Sequence, residues 1–380
     1  MRAIGVAAVV WVLALLIGSA QSRSVFPGTL DQHPAIDYRS GALADVVTVL
    51  RRDAAAGALK LAFDGTQGYL RSMLAALDVP VESQVLLFSK TGLQHQFTSP
   101  ENPRALYFND RVVVGYIPGA PFLEMASHDP RQGIIFQTLK QDSASAEFAR
   151  PDRCLGCHLS ANSLEVPGIL VRSLFTGPDG RALPQQGSFL IDHRSPIEQR
   201  WGGWYVTGAE ASARHMGTAI DARAQVSLYP LPTSDVVALM VFDHQGRAMN
   251  LLTRLGWESR FAAAENRVDF SRGELAGLLK ETVDYFTFAS EPPLTGAVRD
   301  GSPFANSFAA SGPRDRHGRS LRELDLRQRL FKHRVSYMIH SPAFDALPEP
   351  TRTAFYAALR GRIHDADTLA ILDDTKPGWR

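Results

Sequence analysis

"RALYFNDRVVVGYIPGAPFLEMASHDPRQGIIFQTLK", residues 104–140, holds four short apolar or alternating runs rich in Val, Ile, Phe and Tyr. Turn residues separate them: "ND", "PGAP" and "HDPRQG". Runs of four to eight such residues bounded by Gly, Pro, Asn and Asp read as strands joined by tight connections. With "QVLLFS" upstream, the pattern predicts a β-meander or two hairpins over about 84–139. Tyr107, Asn109 and Arg111 fall at one of these hairpins, where turn chemistry is the expected role.

The period changes on either side. Asp45 to Ala75 carries helical signals, interrupted near Asp64-Gly65, and Pro80 stops the second of its helices. "GILVRSLFTGPDGRAL" reads as a strand pair across Gly177-Pro178-Asp179-Gly180. From Ser234, a plausible N-cap, "SDVVALMVFDHQGRAMNLLTRLGWESRFAA" has the apolar spacing of a long helix. A second helix is predicted near 272–289, a Gly/Pro/Arg loop over 291–320, and helical segments near 321–340, 349–361 and 366–374. The fold class is therefore α+β, with a β-rich N-terminal half and a helical C-terminal half. No linker-like run divides residues 21–380, so one unit is expected, with sub-parts 21–145 and 146–380.

The 380 residues are 45% apolar and 21% charged, which is globular composition. Forty basic residues balance 39 acidic ones. That lacks the basic footprint of bulk nucleic-acid binding. Met1-Arg2, the apolar run from Ile4 to Ile17 and the small residues Gly18-Ser19-Ala20 read as a cleaved signal peptide over 1–20. The run is shorter than the roughly 20 residues of a spanning helix, and no later stretch reaches that length without charges. The expected location is periplasmic or secreted, with no transmembrane segment in the mature chain.

Both cysteines lie in "PDRCLGCHLS", residues 151–160, three apart and followed at once by His158. With two cysteines and 11 histidines in 380 residues, chance gives this arrangement roughly once in 7,000. A redox dithiol needs a strand just before the motif, and "SASAEFARPDR" does not read as one. A zinc site needs two further ligands at useful spacing, and no H-x3-5-H follows. Cys154-Leu155-Gly156-Cys157-His158 resembles the attachment motif of c-type cytochromes. The resemblance implies one covalent haem c: Cys154 and Cys157 add to its vinyl groups and His158 is the proximal iron ligand. "DHRSPIEQRWGGWYVTG" and "SYMIHSPAFDALP" are similar to stretches of large secreted bacterial monohaem proteins, a group with no activity attached.

The sixth iron position separates carrier from enzyme. Met216, 58 residues after His158, is the leading distal ligand, and adjacent His215 is the bis-histidine alternative. His244 lies in the apolar stripe of the long helix, as a core histidine or a haem-facing group. His193, flanked by Asp192 and Arg194, could serve an open, peroxidase-like site. The function expected first is electron transfer with a redox partner protein. A haem oxidoreductase with an open distal side stands second, and a haem-based sensor or binding module third. No P-loop, Rossmann glycine pattern, nucleophile elbow or HExxH is present.

Overall fold

The computed structural model describes residues 29–209, 214–220, 223–294, 298 and 302–380. The expected signal peptide over 1–20 lies outside the described residues. In the N-terminal half, α1 (Val46–Ala55) is capped by Asp45, whose carboxylate accepts from Val47 N and Thr48 N. Helix α2 (Leu70–Ala76) follows. Between them, Asp64 accepts from Thr66 N and Gln67 N, forming the turn that interrupts the helical pattern.

The meander is present. Strands β1 (Val85–Leu87), β2 (Arg104–Phe108), β3 (Val112–Tyr116), β4 (Phe122–Asp129), β5 (Gly133–Lys140) and β6 (Phe148–Ala149) form one antiparallel sheet in chain order. Side chains alternate between its faces. Leu123, Met125, Val112, Val114 and Tyr107 pack with Leu70 and Met73 of α2 in one apolar cluster. Leu106, Phe108, Val113 and Phe136 join a second cluster on the other face. Burial on both faces explains why "VVVGY" of β3 is apolar throughout rather than alternating.

After the sheet come α3 (Leu155–His158), then β7 (Arg172–Leu174) and β8 (Ser188–Leu190), which pair with each other. The turn at 177–180 is where the sequence placed it, closed by a Thr176–Ala182 bridge, and the paired strands lie further out. The C-terminal half is built on α4 (Val236–Ala264), about 43 Å long at 1.5 Å per residue. It is buried on nearly every side, as an apolar helix in a protein interior should be. Its N-cap is Asp235 rather than Ser234, because the Asp235 carboxylate takes Val237 N and Ala238 N, while Ser234 Oγ bonds Tyr205 O. Helices α5 (Gly273–Phe286), α6 (Pro303–Ala310), α7 (Pro342–Asp345), α8 (Glu349–Arg360) and α9 (Ala366–Thr375) surround it.

Two segments differ from the sequence reading. The 291–320 loop contains α6, opened by Ser302, whose Oγ accepts from Ala305 N. Conversely, 321–335 is not helical. Asp325 accepts from Arg327 N and Gln328 N, and Leu326 adopts φ +59°. That side-chain-to-backbone turn competes with the helix the leucine spacing suggests. Helical geometry is regained only in the 3-10 turn Tyr337–His340.

Candidate functional site

The CxxCH stretch is wound into a 3-10 turn, Asp152–Cys154, running into α3. Cys154 is half-buried and Cys157 exposed, and the two thiols are not bonded to each other. Both cysteines and His158 line one cavity of about 280 Å³. Its floor is the sheet face that carries Leu106, Val113, Gly115, Glu124, Ala126 and Phe136. Phe242 of α4 and Trp204 also line it. The spacing matters physically. One helical turn presents residues three and four apart on one side, so Cys154, Cys157 and His158 reach the same hollow.

His158 is held by more than its own helix. Its Nδ1 bonds Gly168 O at 2.8 Å, and Gly168 N donates to His158 O at 2.9 Å. The ring packs on Phe136 with centroids 4.6 Å apart. Nδ1 therefore carries the proton toward a carbonyl, which leaves Nε2 as a lone-pair nitrogen, the tautomer a metal ligand requires. Burial lowers the His158 pKa and keeps the imidazole neutral; the Gly168 bond opposes this only in part. Burial also raises the Cys154 thiol, with Glu124 adding to the effect.

The 168 carbonyl is itself positioned from α4. Asn250 Oδ1 accepts from Ile169 N and Asn250 Nδ2 donates to Ile169 O, both at 2.8 Å. A side chain at 168 would collide with this clamp, since a Cβ there would lie 2.5 Å from Asn250 Oδ1. Asn250→Ala removes both buried bonds and leaves two backbone groups unpaired. We expect a loss of about 2–4 kcal/mol in urea unfolding.

Charge enters the cavity through Arg104, Glu124, Arg153 and Arg172. Arg104 and Glu124 form an ion pair on the floor, and Gln94 Nε2 donates to Glu124 Oε1 at 3.1 Å. Glycines make room for it: a Cβ at Gly92 or Gly115 would approach the Arg104 guanidinium to 2.8 or 2.9 Å. Arg104 Nε is buried without a partner. The Trp204 indole donates to Arg172 O at 2.8 Å and so ties β7 to the cavity wall.

The structure does not bring the distal candidates to this cavity. Met216 Sδ accepts from Ser173 Oγ at 3.5 Å, and its methyl lies against Gly202. Nearby, His215 packs edge-on to Trp201 at 5.3 Å. Neither lines the hollow. Met125 does border it through its strand, but its side chain belongs to the cluster on the opposite face. His193 and His244 instead meet each other, Nδ1 to Nδ1 at 2.8 Å, in a buried aromatic nest with Tyr285 and Phe288. His244 Nε2 bonds Ser336 Oγ at 2.7 Å, and Asp243 beside it accepts from Trp201 Nε1. Arg194 is engaged by Asp192 rather than by an open site. Asn109, as the sequence suggested, is a turn residue: its Oδ1 takes Arg111 N and Val112 N.

Sequence reasoning missed Gly168, Asn250, Phe136, Arg104 and Glu124. Gly168, in "VPGI", had the one legible signal, a Pro-Gly pair ten residues after the histidine. Among the described residues no helix is long and apolar enough to cross a membrane. No family model, curated protein or solved structure matches this chain.

Proposed function

We propose that the chain is an exported c-type haem protein whose sixth iron position is left to an exogenous ligand. One haem is bound covalently through Cys154 and Cys157, with His158 as proximal ligand. The observation that carries this reading is the His158 Nδ1–Gly168 O bond, in a cavity shared with both thiols. It supports a neutral imidazole whose Nε2 is free to coordinate, oriented by a second layer of bonds as metal-ligating histidines usually are. When bound, the haem supplies a redox-active iron able to hold a small ligand such as oxygen or peroxide.

The chain's own residues supply the rest. Arg104, Arg153 and Arg172 are the cations available to the haem carboxylates. The Glu124 carboxylate offers an acceptor, and Arg104 offers donors, to a small polar ligand on the cavity floor. The apolar wall of Leu106, Val113 and Phe242 excludes water. An oxidoreductase or ligand-binding role supplied with electrons by a redox partner protein fits this arrangement better than a closed carrier, because Met216 is engaged with Ser173 elsewhere.

Met216→Ala tests that preference. In protein expressed with haem-attachment machinery, one haem per chain is expected by pyridine haemochrome assay. The oxidised and reduced spectra of the variant should match those of the parent. A shift to high-spin features in the variant alone would put Met216 on the iron and restore the carrier reading.

A further inference from the structure

A second cavity, of about 470 Å³, lies on the same face of the sheet as the CxxCH hollow. Phe108, Phe304 and Phe308 form its apolar wall. Their rings are in contact, Phe108 to Phe304 at 5.7 Å and Phe304 to Phe308 at 5.6 Å. The two cavities stand back to back, because Phe108 also touches Phe242 of the first at 5.0 Å.

The polar end of this cavity is built of ion pairs, the buried Arg322–Asp110 and the more exposed Arg111–Asp78. Arg322 bonds Asp110, and its guanidinium lies in the corner between Phe308 at 4.7 Å and Tyr337 at 4.5 Å, whose rings meet edge-to-face at 5.0 Å. Tyr337 donates to Gln245, which donates to Asn109 O. Arg322 is therefore held by two rings and by Asp110, with only 11% of its side chain exposed. Such a pair is neutral as a unit. A charged ligand would have to break it, whereas a neutral group can use both halves. A hydroxyl, with one O–H donor and two acceptor lone pairs on a single atom, is the most compact group that does both.

We infer that this second cavity is a binding site for a neutral phenol. The ring lies on the Phe108–Phe304–Phe308 wall, and the hydroxyl donates to the Asp110 carboxylate and accepts from Arg322. Aromatic faces favour an aromatic ligand over an aliphatic one of equal area. The inference does not depend on covalent haem in the neighbouring cavity.

The probe is 4-fluorophenol, titrated into the full haem-loaded chain and followed by 19F NMR. Saturable binding is expected. Ser307→Trp, which places an indole at a cavity-lining position of α6, should weaken it tenfold or more. Asp110→Asn should weaken it several-fold, and 4-fluoroanisole, which cannot donate, should bind several-fold more weakly to the parent. The visible spectrum and circular dichroism of each variant report folding and the first cavity independently. Absence of saturable binding would overturn the inference. So would binding that is unchanged in both folded variants, because the phenol would then sit elsewhere, the first cavity included.

Discussion

Cys157→Ala should release the haem from stable covalent attachment. On a denaturing gel stained for haem peroxidase activity, the parent chain gives a band and the variant loses it or retains only a trace. Acid-acetone extraction, which leaves thioether-linked haem in the pellet, should carry the variant's haem into the supernatant. The reason lies in the geometry. Cys154 and Cys157 border the same hollow as His158, so a macrocycle held there by the imidazole would lie within reach of both thiols. Cys157 is the exposed member and Cys154 the half-buried one. Loss of the exposed thiol removes the linkage nearer the mouth. A variant haem band as strong as the parent's, with the haem still held in the acid-acetone pellet, would contradict the assignment of Cys157.

The second large effect is on stability under acid. His244 is fully buried, and desolvation holds its pKa down to about 3. Burial, with the neighbouring His244 adding to it, also pushes His193 well below its usual value. The unfolded chain takes up these protons near pH 6.5, so the stability they contribute is fully present above that pH. It falls as pH drops toward the folded values. Asp243 works in the opposite sense. Burial raises it to about 7, so its contribution is present at low pH and lost as pH rises from about 4 to 7. Between about pH 4 and 6.5 two histidines oppose one aspartate. The two histidines outweigh the aspartate, and this cluster makes stability climb as pH rises through that window. Urea midpoints at pH 4.5, 5.5 and 6.5 measure the slope. His244→Gln should flatten it by about one proton's worth, and an unchanged slope would show that the pair does not titrate as a buried unit.

The meander and the long central helix were legible because their signals are local. Strand β4 buries alternate residues, whereas β3, β5 and α4 are buried on nearly every side and show as apolar runs bounded by turn or cap residues. The 321–335 segment was misread for the opposite reason. Its leucines have helical spacing, but one carboxylate, Asp325, diverts two backbone amides into a turn. At the candidate site, Cys154, Cys157 and His158 announce themselves by contiguity. What orients them does not. Gly168 acts through its carbonyl, and Asn250 holds the next residue, Ile169, from 81 residues away. Arg104 and Glu124 meet only because β2 and β4 flank β3. His193 and His244 looked like candidates because each sits among aromatic or apolar residues, and burial alone explains that setting. Met216 had a suitable separation from His158, but separation along the chain carries no direction in space.

The visible spectrum of the reduced protein with and without carbon monoxide bears most directly on an accessible haem iron held by His158. The expected result is a c-type reduced spectrum whose Soret band shifts and sharpens rapidly on addition of carbon monoxide. A low-spin spectrum indifferent to carbon monoxide would contradict the open sixth position and require a second protein ligand. A protein that carries no covalent haem at all would contradict the assignment of Cys154, Cys157 and His158.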